Sequence, residues 1–215
     1  MRANPSRIFR KIALKSGANR RIIGEYKKGA GGMPNGEWTI RIAGEEDAAE
    51  LLSIYEYYVR NTVITFEYDV PGVEEFAGRI RNTLKKYPYL VAESGGAIGG
   101  YAYASAFKAR AAYDWAVETS VYVREGLRGR GVGAALYRAL EEALGGMHVV
   151  NLNACISYPN PESVGFHEKF GYKLVGHFTQ CGYKFDRWHD MVWMEKFIGP
   201  HEIPPKAVVP FPLLP

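Results

Sequence analysis

Glu118 stands inside "WAVETSVYV", a run that is otherwise apolar or small. A carboxylate partly buried in such a strand is pushed toward its neutral form, which raises its pKa and suits it to take a proton near neutrality. The plain alternative is a strand residue facing solvent. Ten residues on, "LRGRGVG" supplies Arg128, Gly129, Arg130, Gly131, Val132 and Gly133 between a strand and a helix. Glycines let the backbone come close to a ligand, and the free N–H groups and dipole at a helix start attract an anion. Further along, "NPESVGFHEKFG" places His167 in a short helix. An imidazole there donates a proton when charged, accepts one when neutral, or is simply a polar residue at a pocket edge.

Three classes of phosphate compound compete for the glycine loop. A Walker loop has Lys and then Ser/Thr after its last glycine, but Ala134 and Ala135 follow here. A dinucleotide fingerprint reads GxGxxG early in a βαβ unit, with an acid about 20 residues on. Here the spacing is GxGxG, in mid-chain, after strands of antiparallel type. The third reading is a pyrophosphate loop for coenzyme A, whose pattern is Arg-x-x-Gly-x-Gly between a strand and an amphipathic helix. It fits best.

With "RGRGVG" at its centre and "NPESVGFHEKFGY" behind it, the chain resembles the GNAT acyl-CoA-dependent N-acetyltransferases over roughly residues 38–198. Inside that family, "NTVITFEYD", "YPYLVAE", "FKARAAYDWAVETSVYV", "CGYKFDRWHDMVWME" and the proline-rich tail are similar to the phosphinothricin and methionine sulfoximine or sulfone N-acetyltransferase branch. The resemblance implies acetyl-CoA as co-substrate, a small-molecule amine of amino-acid type as acceptor, no metal, and a homodimer. It implies that the backbone of Val121, Tyr122 and Val123 bonds the pantetheine arm, that Arg128 to Gly133 hold the pyrophosphate, and that Asn160 lies near the thiol. The plain alternative for each valine is core packing, compatible with a backbone contact.

The chemistry implied needs an ammonium to lose a proton before it attacks a thioester, and a leaving thiolate to gain one. Glu118 is the candidate base, through water. His167, where many family members carry tyrosine, either protonates the thiolate or shares the base role. Cations and donors on "FKARAAYDW", namely Lys108, Arg110 and Tyr113, are candidates for the substrate's acidic group, and Phe66 for a pocket wall. Charged surface loop is the alternative for Lys108. Trp188 and His189 read as strand packing, and His148 and His177 as surface or strand residues.

The elements that must position these groups follow from periodicity. Strands are expected at 37–43, 89–94, 97–107, 115–123, 148–157, 172–184 and 188–197, with Gly95-Gly96 as a hairpin turn. Helices are expected at 44–61, 73–87, 131–146 and 161–171; residues 62–70 read as a loop or short strand. The order β-α-α-β-β-β-α-β-α-β-β describes an α/β fold, a mixed, mostly antiparallel twisted sheet with flanking helices, as the GNAT resemblance also implies. Residues 199–215 form a tail whose prolines exclude a regular helix or central strand.

Charge is distributed unevenly along the 215 residues. Of 27 Lys/Arg and 23 Asp/Glu, nine bases and one acid fall in residues 1–36, which leaves 18 bases against 22 acids for the rest. An acidic body argues against nucleic acid as partner. The basic head reads as a flexible extension, an organelle presequence, or a start placed upstream of Met33; the remainder is expected in the cytoplasm. Apolar runs are too short for a membrane helix, and Cys155 and Cys181 lack a metal-ligand spacing and read as free thiols. Other functions kept in view are acetylation of a different amine (an amino acid, a protein N-terminus or a polyamine) and a non-catalytic acyl-CoA-binding module. Polyamine chemistry would favour an acid-lined pocket, whereas "KARAAYD" offers mostly cations.

Overall fold

The computed structural model describes residues 22–27 and 37–215. Eight strands form one sheet: β1 (Ile22–Lys27), β2 (Glu37–Ile42), β3 (Tyr89–Ser94), β4 (Ala97–Ala106), β5 (Ala116–Val123), β6 (Asn151–Tyr158), β7 (Lys173–Lys184) and β8 (Arg187–Phe197). Their order is β1-β2-β3-β4-β5-β6-β8-β7, and every pairing is antiparallel except β5 with β6. Four helices flank it: α1 (Ala48–Asn61), α2 (Val73–Leu84), α3 (Val132–Gly146) and α4 (Pro161–Lys169).

The strands alternate because they serve two cores. On one face, Leu51, Ile54 and Tyr55 of α1 and Phe76 and Ile80 of α2 bury against Val91 and Tyr101. On the other, Leu136, Leu140 and Leu144 of α3 bury against Val117, Leu152 and Val192. Along β5, Val117 and Thr119 are buried, and Val121 and Val123 pack on the α3 core. Period-2 alternation turns Glu118, Ser120 and Tyr122 to the α1/α2 face.

The expected elements are present, with shifted ends. Gly95 and Gly96 have φ of 59° and 81°, the left-handed pair that a two-residue hairpin turn requires. The valine-rich strand starts at Asn151 rather than 148, since His148 itself turns the chain with φ 65°. Residues 62–70 carry no strand.

Two segments read as extensions meet the body. Residues 22–27, inside the basic head, form β1 and pair antiparallel with β2, and Ile23 packs on the α3 core. The rest of the head, 1–21 and 28–36, lies outside the described residues. The tail, which has one 3-10 turn (Phe211–Leu213), runs along the body. The Phe211 N–H donates to the Lys86 carbonyl (2.9 Å) and the Val209 N–H to that of Met147 (3.0 Å), while the Trp115 indole N–H donates to Lys206 (2.6 Å). Val208, Phe211 and Leu214 pack on the core. Prolines block a ladder but not this single-bond anchoring.

A protein started at Met33 loses β1 and the packing of Ile23. Half-burying such a side chain is worth roughly 1 kcal/mol, so with the lost edge pairing a thermal melt should show Tm lower by about 3–8 °C. Turnover should persist, because β2, β3 and β4 separate β1 from β5 in the sheet.

Candidate active site

The parallel pairing of β5 with β6 lasts three residues: Ala116 with Asn151, Val117 with Leu152, Glu118 with Asn153. Beyond it the strands part. β5 remains paired with β4 to Val123, and β6 remains paired with β8 as far as Tyr158. The gap leaves one edge of β5 without a strand. At its end the Tyr58 hydroxyl of α1 substitutes for one, donating to the Val123 carbonyl (2.6 Å) and accepting from the Val123 N–H (3.1 Å). Ladder alternation puts the backbone groups of Val121 on that same side, toward the gap.

An outer cleft of about 340 Å³ opens here, lined by Tyr58, Ile64, Val121, Val123, Leu127, Arg128, Gly129, Gly131, Gly133, Ala134, Asn160 and Phe166 among others. Gly129 and Gly131 take φ of 71° and 90°, so the loop's path depends on glycine. The first bond of α3 runs from the Ala135 N–H to the Gly131 carbonyl. The N–H groups of Val132, Gly133 and Ala134 therefore lack acceptors inside the helix, and no side chain caps it. Beside them the Arg128 guanidinium lies over the rings of Tyr57 (5.5 Å) and Tyr58 (5.1 Å). Glycine backbone, helix-start amides and a cation suit a pyrophosphate. Val132 itself is buried in the core, and Arg130 is exposed outside the cleft lining.

The cleft continues into an inner chamber of about 60 Å³. Its lining mixes Thr119 and Tyr137 from one face of the sheet with Ser120 and Tyr122 from the other, so it passes through the gap. Asn160 and Ile64 line both spaces. Asn160 is fixed as the N-cap of α4, its Oδ1 accepting from the Ser163 N–H (3.1 Å), with Pro161 starting the helix.

His167 is 4% exposed and lines this chamber. Its Nδ1 lies 2.8 Å from the Ser163 carbonyl, which can only accept, so Nδ1 carries the proton. In the neutral ring Nε2 is then the acceptor of the Tyr137 hydroxyl, 2.8 Å away. Tyr137 also meets Thr119 Oγ1 (3.1 Å), which donates to the Asn153 carbonyl (3.2 Å) and contacts the Tyr172 hydroxyl (3.3 Å). Burial lowers the His167 pKa, the Ser163 bond opposing it, and burial raises that of Tyr137 well above the usual phenol range. Tyr137 escaped the sequence reading because "ALYRALEEAL" makes it one apolar position of a helix face. The available signal was a hydroxyl on an otherwise aliphatic stripe.

Glu118 sits across the sheet from His167, half-buried, opposite Ser105 on β4 and Asn153 on β6. Burial raises its pKa and the charge of Lys108 partly offsets that. The same environment pushes the Cys155 thiol up to about 12, through burial and then the Glu118 charge. Lys108 is exposed, its ammonium 4.9 Å from the Phe107 ring; Tyr113 packs on Phe107 (6.1 Å), and Arg110 is exposed at the start of the short turn 111–113. These three line neither chamber. Phe66 packs against Gly182 and His189, and it is Ile64, two residues earlier, that reaches the chambers.

His177 pairs with Asp190 (2.8 Å), His148 bonds the Ala207 carbonyl (2.8 Å), and Trp188 packs on Tyr183. Among the described residues no three His, Cys, Asp or Glu side chains are grouped to hold a metal ion. No described helix is long and apolar enough to cross a membrane.

Comparison with known proteins identifies the family and the fold. A family model described as an acetyltransferase (GNAT) domain matches residues 40–193. A phosphinothricin N-acetyltransferase of Streptomyces viridochromogenes is 36% identical over 172 residues, 80% of this chain and 93% of that protein. An L-methionine sulfoximine/L-methionine sulfone acetyltransferase of Pseudomonas aeruginosa is 35% identical over 166 residues, 75% of this chain and 95% of the relative. The crystal structure of a GNAT superfamily phosphinothricin acetyltransferase from Sinorhizobium meliloti, in complex with acetyl-CoA, superposes with a TM-score of 0.75 at 35% identity, covering 80% of this chain and 93% of that one.

The buried imidazole ties stability to pH. His167 binds a proton less readily when folded than when unfolded, so its contribution is complete above the unfolded value and is lost as pH falls through the folded one. One such group gives a slope of at most about 1.4 kcal/mol per pH unit. Unfolding measured in denaturant between pH 7.5 and 5 should show stability falling with pH, and His167→Asn should flatten that slope.

Proposed function

The chain belongs to the GNAT acetyltransferase family, and from that premise we propose that it moves the acetyl group of acetyl-CoA to the α-amine of a small amino-acid-like substrate of the phosphinothricin, methionine sulfoximine or methionine sulfone type. The observation that carries this reading is the path from the amides at the start of α3, along the free edge of β5, into the chamber lined by Ser120, Cys155 and His167; Glu118 lines neither space and stands two residues before Ser120 on the same face of β5. The names of the relatives supply the substrate class.

In this reading the pyrophosphate lies on Gly129 to Ala134 beside Arg128, and the pantetheine arm bonds the edge of β5 near Val121. The ammonium loses one proton to Glu118, directly or through water, and the free amine attacks the thioester carbon. The N–H of Val121 stabilises charge developing on the carbonyl oxygen. The C–S bond breaks and the thiolate takes a proton from the Tyr137–His167 pair. Because neutral His167 offers Nε2 only as an acceptor, the donor is the Tyr137 hydroxyl, which bonds Nε2 at rest and turns from it to the thiolate to give up its proton. The second proton lost by nitrogen as the amide forms balances the one the thiolate gains. Lys108, whose charge reaches Glu118, is assigned to the substrate's acidic group, with Arg110 and Tyr113 on the same loop and Phe66 as a wall.

We also read the protein as a homodimer. Leu174, Val175, Phe178 and Trp188 on the outer strands are each more than half exposed, a concentration of apolar surface that a partner copy would cover. Sedimentation velocity should give a species of twice the chain mass.

Thiol release from acetyl-CoA should be fast with phosphinothricin or methionine sulfone and slow with polyamines; no turnover with any amino-acid-type amine would sink the substrate class. Glu118→Gln should lower kcat/KM about a hundredfold or more, the usual loss for a general base. Since burial raises the Glu118 pKa, wild-type kcat/KM should fall with decreasing pH at values above the ordinary carboxylate range. Lys108→Met, which removes the opposing charge, should move that limb to higher pH. Arg128→Ala should raise KM for acetyl-CoA about tenfold, as for one lost charge-assisted contact, and leave the amine KM nearly unchanged.

A further inference from the structure

Lys184, the last residue of β7, is 2% exposed. Its ammonium donates to the Val59 carbonyl (2.7 Å) in the last turn of α1 and to the Thr65 carbonyl (2.8 Å) in the loop beyond it. A lysine rarely buries its charge without a carboxylate in contact; here two backbone carbonyls and the Phe185 ring, 5.0 Å away, take that place, and the Glu67 charge adds to them from farther off. The carbonyl at a helix C-terminus is a natural cation site, since it has no intrahelical partner.

The same hairpin tip grips the same loop at two further points. The Tyr68 hydroxyl donates to the Tyr183 carbonyl (2.6 Å). Phe66 lies so close to Gly182 that a Cβ there would come within 2.6 Å of its ring. His189 on β8 donates from Nε2 to the Lys184 carbonyl (2.9 Å), holding the lysine's own backbone. From inside, the Tyr55 hydroxyl bonds Thr65 Oγ1 (2.8 Å). Between these fixed points sits Ile64, which lines both the outer cleft and the inner chamber.

We infer that Lys184 is a positioning residue for the amine half of the site: it latches the β7–β8 hairpin, against which Phe66 packs, to residues 59–65 and thereby sets Ile64 at the chamber's mouth. The inference rests on the acetyl-transfer reading of that chamber. The acetyl-CoA half is carried mainly by β5 and the start of α3, to which Lys184 makes no hydrogen bond, so although Ile64 also lines the outer cleft the latch should act more on the amine than on acetyl-CoA.

The test pairs kinetics with amide exchange on the full chain. Lys184→Met should raise KM for the amine about tenfold, in line with losing a charged hydrogen bond, while KM for acetyl-CoA stays within about threefold. Exchange at residues 62–68 should accelerate, with β3, β4 and β5 unchanged. Gly182→Ala, which leaves the ammonium alone and displaces Phe66, should shift the amine KM in the same direction, and it decides the matter if the Met variant does not fold. Equal losses for both substrates, or unchanged amine KM with unchanged exchange at 62–68, would overturn the latch. If the wild-type protein acetylates no amine, the substrate reading fails, and exchange at 62–68 in the variants alone decides the latch.

Discussion

The site depends on one failure of pairing. Backbone N–H and C=O groups inside a fold must find partners, and a sheet normally supplies them along the whole strand. β5 and β6 keep their ladder for three residues and then separate, because each continues with a different neighbour, β4 and β8. The edge so exposed is satisfied at Val123 by a tyrosine hydroxyl from α1. The stretch around Val121 is left to an extended ligand, which can bond there as a strand would. A cleft made by divergence has a rigid wall on each side, and the helix that follows β5 delivers its amides to the mouth of that cleft without further design.

The gap also sorts the titratable groups. Glu118 and His167 belong to opposite faces of the sheet, one on the α1/α2 side and one on α4 against Tyr137 of α3. Burial acts on both in the direction of neutrality, raising the carboxylate and lowering the imidazole. A carboxyl group so placed is a better base than one in water. An imidazole whose Nδ1–H is committed to Ser163 and whose Nε2 holds Tyr137 keeps a fixed tautomer. The hydroxyl chain from Tyr172 through Thr119 to Tyr137 leaves these buried polar atoms partnered, which is why the back of the site tolerates so much polarity at full burial.

What the sequence made legible was local. The glycine loop declares itself because left-handed backbone at Gly129 and Gly131 needs glycine in any context, and Glu118 does so because an acid interrupts an apolar strand. The alternation of β5 even tells which residues share a face with it. Tyr137, Lys184 and the anchoring of the tail were illegible for one reason. Each takes its meaning from a partner far along the chain: His167 is 30 residues from Tyr137, Val59 is 125 from Lys184, and Lys206 is 91 from Trp115. A lysine before a turn, or a tyrosine in a helix, carries no mark of such a partner. β1 was hidden by composition, since the basic residues that made the head look like an extension flank a short alternating strand.

The division between legible and illegible follows the division of labour in the site. The acetyl half is built from a strand edge and a helix start, elements whose geometry is set by backbone rules and changes little with side-chain identity. The amine half, as proposed, is built from the segment 62–70, the loop around 107–113 and the β7–β8 tip; side chains join the first and last of these across long sequence distances. Loops of this kind vary without disturbing the scaffold, so one fold can keep its acyl donor and change its acceptor. On the proposed reading, the motifs around Arg128 to Gly133 thus speak to the donor, while acceptor identity would follow from how Ile64, Phe66 and Lys108 are placed, and that placement is a property of the contacts among the loops.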